Sequence, residues 1–299
     1  MRLVVTGGLG FIGSCFIRKY CHEHQIVCID KMDYAANPKA VEEVKDQFKL
    51  NVFDLCEWPE YEILDVKPDW VIHFAAQSHV DNSIKAPYSL IYNNIISTAN
   101  VLEVCRKHAL PLLLVSTDEV FGEGEFTEET PYHPNNPYSA SKASGDMIAS
   151  AYHHTFNTNV IITHSCNNYG EWQHQEKFIP TIVRSIKEGK PVPIYGTGLH
   201  IRDWIYAGDH CSAIMYLINH GTFGEHYCIG AKNPLTNIEL VKRIFELAPG
   251  CNPTYKFVQD RLGHDLKYTI NPEKLYKLGW HPETSFNDAL KRTIDFYLE

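Results

Sequence analysis

Four consecutive polar residues, Ser116-Thr117-Asp118-Glu119, follow an apolar run at 111–115, and downstream the chain reads Tyr138-Ser-Ala-Ser-Lys142. If 111–115 is a strand, its end delivers three polar side chains to the carboxyl edge of a sheet, where open α/β proteins hold ligands. A helix opening at 138 sets Tyr138 and Lys142 four apart on one face, so the ammonium lies beside the phenol and lowers its pKa. Tyr138 is then a general base for an alcohol. Taken alone, the pair is equally a solvated tyrosine and a surface lysine, and Asp118-Glu119 an acidic loop dipeptide.

A second motif gives the first a purpose. The apolar run at 2–6 leads into Gly7-Gly-Leu-Gly10-Phe11-Ile12-Gly13 and then into a helix-period segment. Gly7 permits the tight turn, Gly10 lets backbone N–H groups reach a pyrophosphate, and Gly13 lets the helix pack close to the sheet. The next strand delivers Asp30, whose carboxylate accepts both ribose hydroxyls and repels a 2′-phosphate, favouring NAD over NADP; adjacent Lys31 acts the other way. Asp54, with Leu55, either faces the adenine or caps a strand end. With a dinucleotide in place, Lys142 holds a ribose hydroxyl and Tyr138 deprotonates an alcohol whose carbon gives hydride to NAD.

The elements needed to position these groups are legible as periodicities. Apolar runs at 3–6, 26–29, 70–75, 111–115 and 160–163 read as strands, with helical patterns at 11–22, 88–108 and 138–156 and shorter ones at 37–47 and 59–66. Pro87 and Pro137 stand where helix starts tolerate them. The alternation implies a Rossmann-type doubly wound parallel sheet over 1–166. Beyond 166 it weakens, and Pro180, Pro191, Pro193, Gly196 and Gly198 punctuate shorter elements of a smaller α/β lobe at 167–202 and 223–299. Residues 203–222, with Asp209 as the expected helix cap, return to the nucleotide domain. No internal repeat or flexible linker is present.

Composition narrows the class of ligand. The 299 residues carry 27 basic and 36 acidic side chains, a formal charge of −9, without a Lys/Arg block. A nucleic acid is therefore a poor partner, whereas a small phosphorylated ligand needs only a few local donors. The nine cysteines are scattered singly with no Cys-x-x-Cys, as in a reducing compartment. No apolar stretch approaches a membrane span and none of signal-peptide type stands at the start, so a cytoplasmic protein away from membranes is expected. The 16 histidines show no ligand spacing of a recognised metal site, and no metal is expected.

Together, Gly7–Gly13, Thr117 and the Tyr138/Lys142 pair resemble the extended short-chain dehydrogenase/reductase superfamily. Within it, the chain is similar to the nucleotide-sugar 4,6-dehydratases, the dTDP-glucose 4,6-dehydratase family. The likeness rests on His73–Ile84, Ser116–Gly122, Pro137–Ala143, Asn167-Asn-Tyr-Gly170, Glu176–Pro180, Ile194–Gly198, Arg202–Tyr206 and Gly263-His-Asp265. It implies that Tyr138 takes the proton from a sugar 4-hydroxyl that Thr117 also contacts. Glu119 then removes the carbon-5 hydrogen, and protonated Asp118 donates to the departing 6-hydroxyl. Hydride returns to carbon 6, giving a 4-keto-6-deoxy sugar and regenerated NAD.

The resemblance further implies that Ala75 and Ala76 adjoin the cofactor. Ser78 and His79 line the cofactor or sugar pocket; a structural role suits His79 equally. Asn168, Lys177, Arg202 and Arg261 surround the nucleoside diphosphate of the hexose, where the bland role of each Arg is a solvated surface charge, and His264 is a further substrate-binding residue. Helices 88–108 and 138–156 either pair with a second subunit in a four-helix contact of a homodimer or simply pack on the sheet. Gln77, Asn82, Glu171, Leu262 and Ala36 depart from the family pattern and leave the base, dTDP or UDP, open. A 4-epimerase on the same scaffold has no need of Asp118 and Glu119 as acid and base, a decarboxylase resembles Thr-Ser-Glu at that place, and a non-catalytic NAD-binding regulator would have no need of either pair.

Overall fold

The computed structural model describes residues 1–248, 254–260 and 264–299. Its main sheet has seven strands in the order His226–Ile229, Val160–Ser165, Leu112–Thr117, Trp70–His73, Arg2–Thr6, Gln25–Asp30 and Phe48–Val52, and every pairing is parallel. The chain builds outward from Arg2–Thr6 in one direction and then crosses back to extend the other side. The carboxyl ends of Arg2–Thr6 and Trp70–His73 flank that reversal, the place where such sheets hold ligands.

Alternate residues feed two separate cores, as the two-residue period of a strand requires. Leu3, Val5, Cys28, Ile72 and Leu113 enter one, closed by helices Phe11–Tyr20 and Ala207–His220. Val4, Val27, Ile29, Val71 and Leu114 enter the other, closed by Pro87–Lys107 and Pro137–Phe156. Burial on both faces explains why these strands read as unbroken apolar runs.

Several expectations shift. Phe48–Val52 is a strand without an unbroken apolar run, because it lies at the sheet edge with Lys49, Leu50 and Val52 exposed. Residues Pro38–Gln47 coil as a 3₁₀ helix. Asp209 is not the cap of its helix: Tyr206 is, and the Asp209 carboxylate accepts from the Thr284 N–H at 3.1 Å and its hydroxyl at 3.0 Å, anchoring the chain before the last helix. The segment His226–Ile229, read with the smaller lobe, pairs with Val160–Ser165 in the main sheet.

The smaller part has its own four-stranded sheet, ordered Leu235–Thr236, Ile201–Arg202, Lys267–Ile270 and Gly124–Phe126. Helices Phe178–Lys187, Asn237–Leu247 and Phe286–Leu298 enclose a third core containing Ile182, Ile194, Leu240 and Leu290. No described helix is long and apolar enough to cross a membrane.

Candidate active site

The glycine turn and the start of helix Phe11–Tyr20 form one wall of a cleft. Gly7 has φ +67°, and a Cβ there would stand 2.7 Å from the Ala75 backbone; at Gly13 it would stand 2.4 Å from the Gly7 carbonyl oxygen. Any side chain at either place would fill the cradle. Gly10 caps the helix with no side-chain hydrogen bond, so its N-terminal N–H groups remain available to an anion. The Asp30 carboxylate accepts from Leu9 N at 3.0 Å and Met32 N at 2.8 Å, which fixes it at the strand end. Burial pushes its pKa up, against the pull of those two N–H groups.

Lys31 donates to Asn93 Oδ1 at 2.7 Å and lies 3.5 Å from Asp54 and 3.6 Å from Asp33. Two carboxylates thus offset its charge, and with Asp30 the region is net acidic, a poor seat for a 2′-phosphate. Asp54 also accepts from Cys56 N at 2.9 Å, turning the chain as a local cap does. Phe11, Ile12, Leu55, Ala75 and Ala76 line the same cleft, so the donor set and the cradle fit a dinucleotide.

Tyr138 and Lys142 enter from helix Pro137–Phe156, whose start is set by a capping box: Asn136 Oδ1 accepts from Ser139 N at 2.9 Å and Ser139 Oγ from Asn136 N at 3.2 Å. Both side chains line the cleft with Thr117, Asp118 and Glu119. The Lys142 ammonium donates to the Val115 carbonyl at 2.8 Å. Its pKa is lowered by burial, against the pull of Asp146. Contrary to the lowering expected from Lys142, the Tyr138 phenol is pushed well up, first by burial and then by Glu119 and Asp118, with a Thr117 hydrogen bond opposing.

Thr117 caps a short 3₁₀ turn, Asp118–Phe121, that separates the two acids. Asp118 is 2% accessible and its pKa is pushed up to about 8 by burial and by Glu119, while Arg202 and a Thr117 hydrogen bond pull it down. Glu119 is half-buried, with Asn136 Nδ2 at 3.5 Å from its Oε2. Adjacent in sequence, the two carboxyls thus occupy different surroundings, as a proton donor and a proton acceptor require.

The remaining expected residues divide. Ser78, Asn168 and Lys177 line the cleft, whereas His79, Arg202 and His264 are not among its lining residues, and Arg261 and Leu262 lie outside the described residues. Lys177 donates to the Ser78 carbonyl at 3.0 Å, a bridge between the two halves. Asn168 donates to Cys166 O at 3.0 Å, and its Oδ1 is 2.9 Å from His210 Nδ1. His79 caps helix Val80–Lys85 by accepting from Asn82 N at 3.3 Å. Arg202 is buried over the Tyr268 ring at 4.1 Å and donates to Ile201 O at 2.7 Å and Asp265 O at 2.8 Å. It meets the cleft through its field on Asp118.

His264 joins His200 and Asp260, all with ligand-type atoms within 4.8 Å, a grouping that sequence spacing concealed. The two imidazoles stack at 3.7 Å and 17°, so their in-plane lone pairs do not converge on one ion.

Sequence reasoning missed Asp33, Tyr34, Trp172, His174 and Glu176, which line the cleft. Glu176 lies 3.6 Å from His79 and 3.5 Å from His174, and Tyr34 meets the His174 ring edge-on at 6.0 Å. Only Glu176 stood within a quoted motif. The departures also acquire contacts: Gln77 donates to Asp33 at 2.7 Å, Glu171 accepts from the Tyr206 hydroxyl at 2.9 Å, and Ala36 packs on the first core.

A doubly wound sheet with a glycine cradle, a Tyr-x-x-x-Lys helix and polar groups at the intervening strand end defines an α/β protein of the extended short-chain dehydrogenase/reductase type. The family model described as GDP-mannose 4,6 dehydratase matches residues 4–293, and the chain belongs to that family. It is 40% identical over 331 aligned positions to the dTDP-glucose 4,6-dehydratase of Haemophilus influenzae, covering 100% of this chain and 98% of the relative. Among solved structures, the dTDP-glucose 4,6-dehydratase of Streptomyces venezuelae with NAD and dTDP bound is similar with TM-score 0.95 and 37% identity, covering 99% of this chain and 97% of the other. The UDP-glucose 4-epimerase of Thermus thermophilus in complex with NAD is similar with TM-score 0.92 and 26% identity, covering 99% of each. The expected superfamily and sheet are both borne out.

Proposed function

We propose that the chain is an NAD-dependent dTDP-glucose 4,6-dehydratase, a hydro-lyase that yields the 4-keto-6-deoxy sugar. The observation that carries this reading is the buried, acid-holding Asp118 beside Glu119. The glycine cradle, Asp30 and Lys142 would hold NAD, which would supply reversible hydride acceptance. Tyr138 takes the proton of the 4-hydroxyl while Thr117 positions that oxygen. Glu119 removes the proton from carbon 5, made acidic by the neighbouring ketone. Asp118 donates its proton to the 6-hydroxyl as water leaves.

Residues 1–166 with about 203–222 serve the dinucleotide, and 167–202 with 223–299 the nucleotide sugar, except that His226–Ile229 belongs to the main sheet. Ser78, Asn168 and Lys177, which line the cleft, face the substrate. The names of the relatives above support thymidine as the nucleoside. The chain acts as a homodimer: helices Pro87–Lys107 and Pro137–Phe156 leave Tyr88, Tyr92, Met147 and Phe156 exposed, which suits a four-helix contact. Its described cysteines are free thiols, consistent with the cytoplasm.

Incubation with dTDP-glucose, UDP-glucose and GDP-mannose, followed by mass spectrometry, tests the assignment. Loss of one water, fastest from dTDP-glucose, is expected; an unchanged mass from all three overturns it in favour of epimerisation or mere binding.

A further inference from the structure

Next to the Tyr138–Lys142 pair, a second polar cluster is buried without lining the cleft. Asp146 and His164 are each 0% accessible. Asp146 lies one helical turn beyond Lys142, on the same face. Its Oδ2 accepts from Ser116 Oγ at 2.7 Å and lies 3.2 Å from His164 Nε2. The His164 ring stacks on that of His226 at 5.4 Å, and the Tyr132 hydroxyl stands 3.5 Å from both imidazoles. Lys142 reaches Val115, the residue before Ser116, so ammonium and carboxyl grip consecutive residues of one strand.

A buried ammonium is costly unless an anion accompanies it. The reading above keeps Lys142 charged, and this inference rests on it. Four neighbouring elements present other groups. His73, from strand Trp70–His73, has its pKa lowered to about 3 by burial and then by Lys142, so it brings no charge. Asp118 and Glu119 face Tyr138 from the 3₁₀ turn. His164, from Val160–Ser165, and His226 with Tyr132 stand behind Asp146.

We propose that Asp146 is a positioning residue for the oxidation step: its carboxylate, fixed by Ser116 and His164, keeps Lys142 protonated and its ammonium seated on the Val115 carbonyl. Burial and Asp146 act on Lys142 in opposite directions, as this role requires. The group works through Lys142 and does not touch substrate.

Asp146→Asn is isosteric, and its amide can still pair with Ser116 Oγ and, after a tautomer change, with His164 Nε2. Cofactor reduction by dTDP-glucose is followed against pH in the Glu119→Gln background, where the reaction stalls before Asp118 is used. Asp146→Asn is expected to move the high-pH limb down by roughly one unit or more. Independently of activity, urea unfolding compares Asp146→Asn with and without Lys142→Met. The substitution should weaken folding beside Lys142 and lose that effect in the Lys142→Met background, a coupling of about tenfold or more in the unfolding constant. Superimposable limbs, or equal losses in both backgrounds, overturn the proposal. If Asp146→Asn alone does not fold, recovery of folded protein on adding Lys142→Met supports it and failure to recover overturns it. Full turnover in Lys142→Met would instead sink the oxidising-pair reading and leave the unfolding comparison valid.

Discussion

The Thr117 hydroxyl lies 3.2 Å from Asp118 Oδ1, while Oδ2 of the same carboxyl is buried without a hydrogen-bond partner among the described residues. One oxygen is held and the other is left for chemistry. Such an arrangement costs stability unless the carboxyl keeps its proton.

Asp118→Asn tests that balance. A pKa pushed up to about 8 from 3.8 means the folded chain retains a proton the unfolded chain has released, so this group lowers stability progressively as pH rises from about 4 to 8. The Asn variant should therefore be more stable than wild type by roughly 5 kcal/mol at pH 8 and equal to it near pH 4. Its turnover should fall by about 10²–10⁴. Thermal unfolding at the two pH values and steady-state rates check both parts.

Glu119→Gln should bind NAD as wild type does yet lose about 10²–10⁴ in product formation, because its proton transfer follows the oxidation. Reduced cofactor should accumulate on mixing with dTDP-glucose, visible by absorbance. Normal dehydration by this variant would remove Glu119 from its role.

Arg202→Met removes a positive field that holds the Asp118 pKa down. The high-pH limb of steady-state turnover set by Asp118 should move upward. The carbonyls of Ile201 and Asp265 lose a donor, so stability should drop by about 1–3 kcal/mol. A limb that stays in place, or moves down, contradicts this electrostatic link.

Gly13→Ala would set a Cβ 2.4 Å from the Gly7 oxygen and 2.8 Å from the Gly8 Cα, both backbone. Neither atom can move without shifting the cradle. Stability should fall by about 1–3 kcal/mol and NAD affinity by tenfold or more, measured by unfolding and calorimetric titration. An unchanged affinity would detach the glycine turn from cofactor binding.

The sheet and the chemical centre were legible because each depends on local pattern. Unbroken apolar runs mark strands buried on both faces, and Gly7, Gly13, Thr117, Tyr138 and Lys142 announce themselves by spacing. Phe48–Val52 escaped because an exposed edge strand carries no such run. The reach of Arg202 toward its own backbone, the stacking of His200 on His264 and the convergence of Tyr34, His79 and His174 around Glu176 depend on contacts between distant segments, which no local window contains. Asp209 looked like a cap because a short acid near a helix start usually is one, yet its carboxylate serves Thr284, more than seventy residues away.

The strand His226–Ile229 completes the edge of the main sheet, while Gly124–Phe126, from the first half of the chain, completes the small one. Each half thus borrows a strand from the other's stretch of sequence. A break at residue 166 would leave neither fragment with a whole sheet, so the two halves are not interchangeable modules. A lobe of new specificity cannot be grafted on by one splice; it must be altered in place, loop by loop.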